Sequence, residues 1–222
     1  MKVYYATFSE CGPRRKNEDY IAVREMPEQG RSVFVLCDGM GGHCLGEVAS
    51  RLVAEHICGY WQKNPKRKDC EKKIIDACDE TIIAFNNKSR VEMGTTMAMV
   101  AIEGNKALLS HCGDSRIYVV RNREIIYQST DHVALTPEGW PVIKRAFFTG
   151  RNSYHPDIKG IEVEVGDMIL ICSDGVHGNG KWSDVKEVLL SGNAIDTLDR
   201  IKSIAERNAH DNYSAILIHL EC

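Results

Sequence analysis

Four things are missing from this 222-residue sequence, and each absence removes a class of protein. Charge of one sign is missing: 31 acidic residues face 28 basic ones, for a formal net charge of −3. That balance gives no bulk reason to bind nucleic acid or an anionic membrane. Long hydrophobic runs are missing too. The longest, Met97 to Ile102, is six residues, against about 20 for a membrane span. The opening Met-Lys-Val-Tyr-Tyr-Ala-Thr has no apolar stretch of the kind a signal peptide needs. There are nine cysteines, but no C-x-x-C pair and no regular spacing. This suggests neither a disulfide framework nor a zinc ribbon, and it fits a reducing cytoplasm. Finally, the eight histidines form no H-E-x-x-H or other paired ligand spacing.

What remains is an ordinary globular composition, 43% apolar and 27% charged. A chain of this length buries roughly 70% of its unfolded surface and needs no staples. It is long enough for one large domain or two small ones.

Hydrophobic periodicity divides the chain into blocks. Residues 2–8 and 20–24 are rich in Val, Tyr and Ile and read as short strands. Val33–Cys37 is a continuous apolar run, the mark of a strand buried on both faces. Residues 46–62 and 70–87 carry apolar side chains at helical spacing. From Thr95 the period becomes that of strands: 95–102, 107–112, 116–120 and 124–128, joined by tight turns, read as a β-meander. Residues 133–160 show no clean period and read as a loop or small lid. A second buried strand, 167–172, is followed by helices over 183–190 and 194–209 and a last strand over 213–220. Strands and helices in blocks, without β-α alternation, indicate α+β.

One local arrangement occurs twice. An apolar strand runs into an aspartate followed by glycine, at Asp38-Gly39 and at Asp174-Gly175, and a third strand ends at Gly113-Asp114. A strand end holds a side chain firmly, and a glycine lets backbone approach closely. Aspartate is short and stiff, which suits a hard cation. Each Asp-Gly alone is an ordinary turn pair. Two after buried strands, with Asp211-Asn212 before the last strand, make a site the better reading.

Six motifs stand in order: Arg14-Arg-Lys-Asn17-Glu18-Asp19, Asp38-Gly-Met-Gly-Gly-His43, Gly94-Thr-Thr96, Gly113-Asp-Ser-Arg116, Ser173-Asp-Gly175 and Asp211-Asn-Tyr-Ser214. Together they resemble the metal-dependent serine/threonine protein phosphatases of the PPM family (type 2C), in their compact bacterial form. The resemblance covers residues 12–214. Each motif alone is weak, but six in order are specific.

The resemblance implies two packed antiparallel β-sheets flanked by pairs of α-helices, one catalytic domain over residues 1–222, and a short lid around 133–160. It implies hydrolysis of phosphoserine and phosphothreonine by direct attack of a metal-bridging water, with no phosphoenzyme intermediate. Two Mn2+ or Mg2+ ions are implied, with a place for a third. Asp38 would bridge two ions, the Gly39 carbonyl would bind one of them, and Asp174 and Asp211 would hold the other. Asp114 would share the third ion with Asp174. Arg14 would grip the substrate phosphate, while Glu18 and Asp19 would order waters around the ions. His43 is the candidate general acid, because a near-neutral imidazole can donate a proton at pH 7. The Asp131-His132 pair would support the site structurally. The implied partners are phosphorylated proteins and a cognate serine/threonine kinase, for a cytoplasmic monomer with no nucleic acid or membrane partner. Two features depart from the family: its lid is often longer, and Val133 stands where a small polar residue is more usual.

Residue chemistry supports this set. Manganese and magnesium take oxygen ligands and keep several waters, so few protein ligands suffice. A guanidinium grips phosphate oxygens bidentately, as a lysine cannot. Two alternatives compete. Gly175-Val-His-Gly-Asn-Gly180-Lys181 matches a phosphate-binding loop up to its last position, which is Trp182 where Ser or Thr is required. The other is a module that binds phosphoprotein without cleaving it. Its usual mark is a lost ligand aspartate, and here all four are present.

Overall fold

The computed structural model describes the chain except for residues 41–44, 65–68, 89–91, 150–154, 192–193 and 208. The elements run β1 (Lys2–Glu10), β2 (Asp19–Met26), β3 (Arg31–Asp38), α1 (Gly46–Lys63), α2 (Cys70–Lys88), β4 (Gly94–Thr95), β5 (Met97–Glu103), β6 (Lys106–Cys112), β7 (Arg116–Arg121), β8 (Glu124–Gln128), β9 (Val133–Leu135), β10 (Pro141–Ile143), β11 (Phe147–Phe148), β12 (Asp157–Glu162), β13 (Met168–Cys172), α3 (Asp174–His177), α4 (Trp182–Leu190), α5 (Ala194–Arg207) and β14 (Tyr213–Glu221).

Two five-stranded antiparallel sheets carry the fold, in the orders β1-β14-β13-β7-β8 and β12-β6-β5-β3-β2. The continuous apolar runs have a direct cause. In β3, Phe34 and Leu36 point into the layer between the sheets with Val100, Ile171 and Ile216. Val33, Val35 and Cys37 point the other way, onto α1 and α2 through Ala49, Val53, Ile57, Ile74 and Phe85. The second sheet does the same with Leu170, Cys172 and Leu217, which pack on Val185, Leu189 and Ile201 of α4 and α5. Side chains alternate across a strand, so a strand covered on both faces must be apolar throughout. Burial of each such Val, Leu or Ile contributes about 1.5–3 kcal/mol. The result is helices, sheet, sheet, helices, as the resemblance implied.

Three details differ from the sequence reading. Residues 95–128 are not one meander: β5 and β6 pair in one sheet, β7 and β8 in the other. The chain crosses between sheets at Gly113, whose φ of +121° turns it sharply. A Cβ there would sit 2.6 Å from the Thr96 side chain. Period-two alternation reports which face is buried, not which strand is the neighbour, so it could not separate two hairpins from a meander. The segment read as a loop over 133–160 contains a β9–β10 hairpin and the six-residue edge strand β12, which pairs with β6 from Asp157↔His111 to Glu162↔Lys106. Its surface is mostly exposed, so the sequence there lacks the apolar alternation of a half-buried strand. Finally, a single helical turn, α3, begins at Asp174 itself.

Candidate active site

Several chain segments end or begin at the same end of the sandwich. Asp38 closes β3, and its register partner Asp19 opens β2. Gly113-Asp114 follows β6, Ser173-Asp174 follows β13, and Asp211-Asn212 precedes β14. Asp38, Asp114, Asp174 and Asp211 thereby line one pocket of about 390 Å3, together with Gly39, Met40, Thr96, Pro141, Val142, Ile143 and Phe148.

Glycines make this convergence possible. A Cβ on Gly175 would lie 2.0 Å from the Asn212 carbonyl oxygen, so only glycine lets α3 meet the Asp211-Asn212 turn. A Cβ on Gly39 would lie 2.4 Å from the Gly46 carbonyl oxygen and 2.7 Å from that of Glu18. That close packing brings the start of α1 against the Asp38 turn.

Hydrogen bonds then fix the ligand-bearing turns. The Thr96 hydroxyl accepts from the Asp38 N–H at 3.0 Å and contacts the Ser115 hydroxyl at 2.7 Å. Asn212 staples the N-terminal turn. Its side-chain amide donates to the Cys11 and Lys16 carbonyls at 2.7 and 2.9 Å, and its oxygen accepts from the Glu18 N–H at 2.9 Å. This places Arg14 against Asp211, Nη2 to Oδ2 at 2.6 Å. Glu18 is half-buried, with its carboxylate over Gly46. Asp19 is buried and accepts from the Ser173 hydroxyl at 2.9 Å. Asp131 and His132 hold the Gly113–Arg116 turn from outside. Arg116 donates to both Asp131 oxygens at 2.7 and 2.8 Å, and His132 Nδ1 accepts from the Gly113 N–H at 3.2 Å. His43 lies outside the described residues.

The site is electrostatically unfavourable without a cation. Burial, and then neighbouring carboxylates led by Asp19 and Asp174, push Asp38 well above the ordinary carboxylate range. Burial and Asp211 raise Asp174. Burial and then Asp174 lift Asp114 to about 7. Burial lifts Asp19 to about 7 despite the hydroxyls of Ser214 and Ser173. Two carboxylates 4 Å apart repel by about 4 kcal/mol at an effective dielectric of 20. Asp19 Oδ1 is buried without a hydrogen-bond partner. An all-oxygen set of clustered carboxylates with an orphaned acceptor fits Mg2+ or Mn2+ and is ill suited to a softer metal.

Two further residues, neither placed in the site by the sequence, hold it together from behind. His177 is buried, and burial lowers it to about 4, so it is neutral. Its Nε2–H donates to the Asp114 carbonyl at 3.2 Å, tying α3 to the Asp114 turn. Lys181 closed the phosphate-loop pattern, yet its ammonium is buried and donates to the Gly175 and Ala205 carbonyls, each at 3.0 Å. It binds backbone and leaves no cradle for a nucleotide.

Known proteins match nearly the whole length of this chain. The model of a family described as protein phosphatase 2C matches residues 14–212. Protein phosphatase PhpP of Streptococcus pneumoniae is 26% identical, over 93% of this chain and 93% of its own length. Serine/threonine protein phosphatase PstP of Mycobacterium tuberculosis is 29% identical over 96% of this chain, which spans 44% of that protein. The solved structure of the PstP catalytic domain in complex with two manganese ions superposes with a TM-score of 0.82. It is 28% identical and covers 99% of both chains.

Proposed function

The chain belongs to the protein phosphatase 2C family, and on that premise we propose that it is a manganese- or magnesium-dependent phosphatase of phosphoserine and phosphothreonine proteins. The observation that carries the reading is the pocket where Asp38, Asp114, Asp174 and Asp211 meet, beside Arg14.

Asp38, the Gly39 carbonyl, Asp174 and Asp211 would hold two divalent ions, and Asp114 with Asp174 a third. When bound, such ions acidify water and offset the charge of the transferring phosphoryl group. The chain's own groups do the rest. Arg14 is exposed and already reaches the rim at Asp211, so its guanidinium can turn to take two phosphate oxygens. The buried hydroxyls of Thr96 and Ser115 are engaged with each other and with the Asp38 backbone. Hydrolysis then proceeds in one displacement by water, with the pocket aspartates committed to holding the ions rather than acting as nucleophiles. Glu18 and Asp19 order the surrounding waters.

The whole chain acts as one catalytic unit, since its site draws on residues from 14 to 211. No described helix is long and apolar enough to cross a membrane. The eight described cysteines are all free thiols, which supports a reducing cytoplasm. Every described residue of the proposed site comes from one chain, which supports a monomer. Phosphoprotein substrates in turn require a serine/threonine kinase that makes them.

The deciding measurement is hydrolysis of a phosphothreonine peptide with and without Mn2+. Turnover should need the metal and be lost in Asp174→Asn. Metal-independent turnover, or full activity in that variant, overturns the reading.

A further inference from the structure

The glycine-rich segment Gly175-Val-His-Gly-Asn-Gly180-Lys181 imitates a phosphate-binding loop, yet its contacts run to backbone and join two of the site aspartates. It follows Asp174 directly, as α3 and the bend into α4. The Gly178 N–H donates to the Asp174 carbonyl at 2.7 Å, and a Cβ on Gly178 would lie 2.7 Å from that oxygen. Glycine is what lets the chain fold back so closely. Lys181 holds the Gly175 carbonyl from behind. The segment is an elbow wrapped around the backbone of Asp174.

Two contacts tie this elbow to the turn that carries Asp114. The buried His177 bonds through Nε2 to the Asp114 carbonyl at 3.2 Å. A carbonyl only accepts, so the imidazole proton sits on Nε2. Further out, the Trp182 ring stacks on Tyr118 at 4.1 Å. The Tyr118 hydroxyl in turn accepts from Arg116, two residues past Asp114, at 3.1 Å. The neighbours of Asp114 are held from other directions, Gly113 by His132 and Ser115 by Thr96. Asp114 itself is held through its carbonyl by His177. A tie on the backbone of a ligand-bearing residue fixes where its carboxylate can reach.

We propose that His177 is a positioning residue for the divalent ion shared by Asp114 and Asp174. By clamping the Asp114 carbonyl to the elbow that grows out of Asp174, it holds the two carboxylates at one separation. The proposal rests on the phosphatase reading and names what sets the occupancy of that ion. The other two ions draw on Asp38, Asp211 and the Gly39 carbonyl as well as Asp174, and the His177 bond goes to none of these. The ion shared by Asp114 and Asp174 has the fewest protein ligands, so it binds most weakly and responds first when one carboxylate moves.

The test is Mn2+ binding by calorimetry, with free Mn2+ counted by paramagnetic resonance. Wild type should take up one Mn2+ that Asp114→Asn does not, which identifies the ion in question. His177→Leu should weaken that ion ten- to a hundredfold and leave the other two within about twofold, the usual scale for losing an outer contact of one metal site. His177→Gln should restore it, because a glutamine amide reaches as far as Nε2, whereas His177→Asn stops one bond short and should not. Should the Leu variant fail to fold, the order of Gln over Asn carries the test alone. Equal weakening of all three ions overturns the proposal and makes His177 a general support. Unchanged binding in the Leu variant overturns it, and so does a Gln variant no better than Asn. A wild type with no ion that depends on Asp114 overturns it as well. If no phosphothreonine peptide is hydrolysed with Mn2+ but the same ion still follows His177, the phosphatase reading fails and the positioning role stands.

Discussion

In the metal-free protein, Asp114→Asn should be more stable than wild type at pH 8, and that advantage should shrink to less than half by pH 5. Burial and the Asp174 carboxylate lift Asp114 from 3.8 to about 7. A carboxyl that holds its proton more tightly when folded weakens the fold wherever it is ionised, above about pH 7. The penalty shrinks as pH falls from 7 toward 4 and is gone below the unfolded value. At about 1.4 kcal/mol per pH unit the full effect is about 4 kcal/mol. Asp114 is only half-buried, and water entering the pocket halves that to about 2 kcal/mol. For a chain of this size, that is roughly 4–8 °C in Tm. The wild-type curve alone is a poor measure, because the neutral histidines oppose the trend. His177, held near 4, costs stability as pH falls below its unfolded value of about 6.5. The difference between variant and wild type cancels that contribution. The assay is thermal unfolding by circular dichroism from pH 8 to pH 5 in a chelator, and then with Mn2+. With Mn2+ the order should reverse, since ligand bound only by the native state adds about 2.7 kcal/mol at a hundredfold excess over Kd. Parallel curves for the two proteins from pH 8 to pH 5, or a variant less stable than wild type at pH 8, would refute the account of the aspartate cluster.

Arg14→Lys should not rescue Arg14→Ala. A charge-assisted bidentate contact contributes about 1.5–3 kcal/mol, so both variants should lose roughly ten- to a hundredfold in kcat/KM on a phosphopeptide, measured by phosphate release. Gly175→Ala places a Cβ 2.0 Å from the Asn212 carbonyl oxygen. Forced apart there, the protein should lose about 1–3 kcal/mol of stability in urea unfolding, together with Mn2+ affinity by calorimetry, whereas Gly104→Ala on an open turn should leave Mn2+ affinity intact.

Much of the fold could be read from the sequence because burial writes itself into hydrophobic period. The strands buried on both faces, β3 and β13, stand out as unbroken apolar runs, and the aspartates beyond them occupy the one place where such a strand meets solvent. The unread parts share a different physics. β12 is a strand because β6 offers it a ladder, and its own side chains are mostly in water, so local pattern says little. The split of 95–128 between two sheets depends on which neighbour a strand finds, and alternation is blind to that. Within the site, the supporting contacts are hydrogen bonds to distant backbone. Asn212 reaches carbonyls some 200 positions earlier, and His177 reaches the Asp114 carbonyl 63 positions away. No spacing rule encodes such contacts. Glycine carries part of this tertiary information. Gly39 and Gly175 each follow a site aspartate, and each is a point where a side chain would strike the backbone of another site segment. A glycine just past a buried strand and its aspartate thus marks where two ligand-bearing turns touch, which makes the Asp-Gly pair a statement about tertiary contact as much as about a turn.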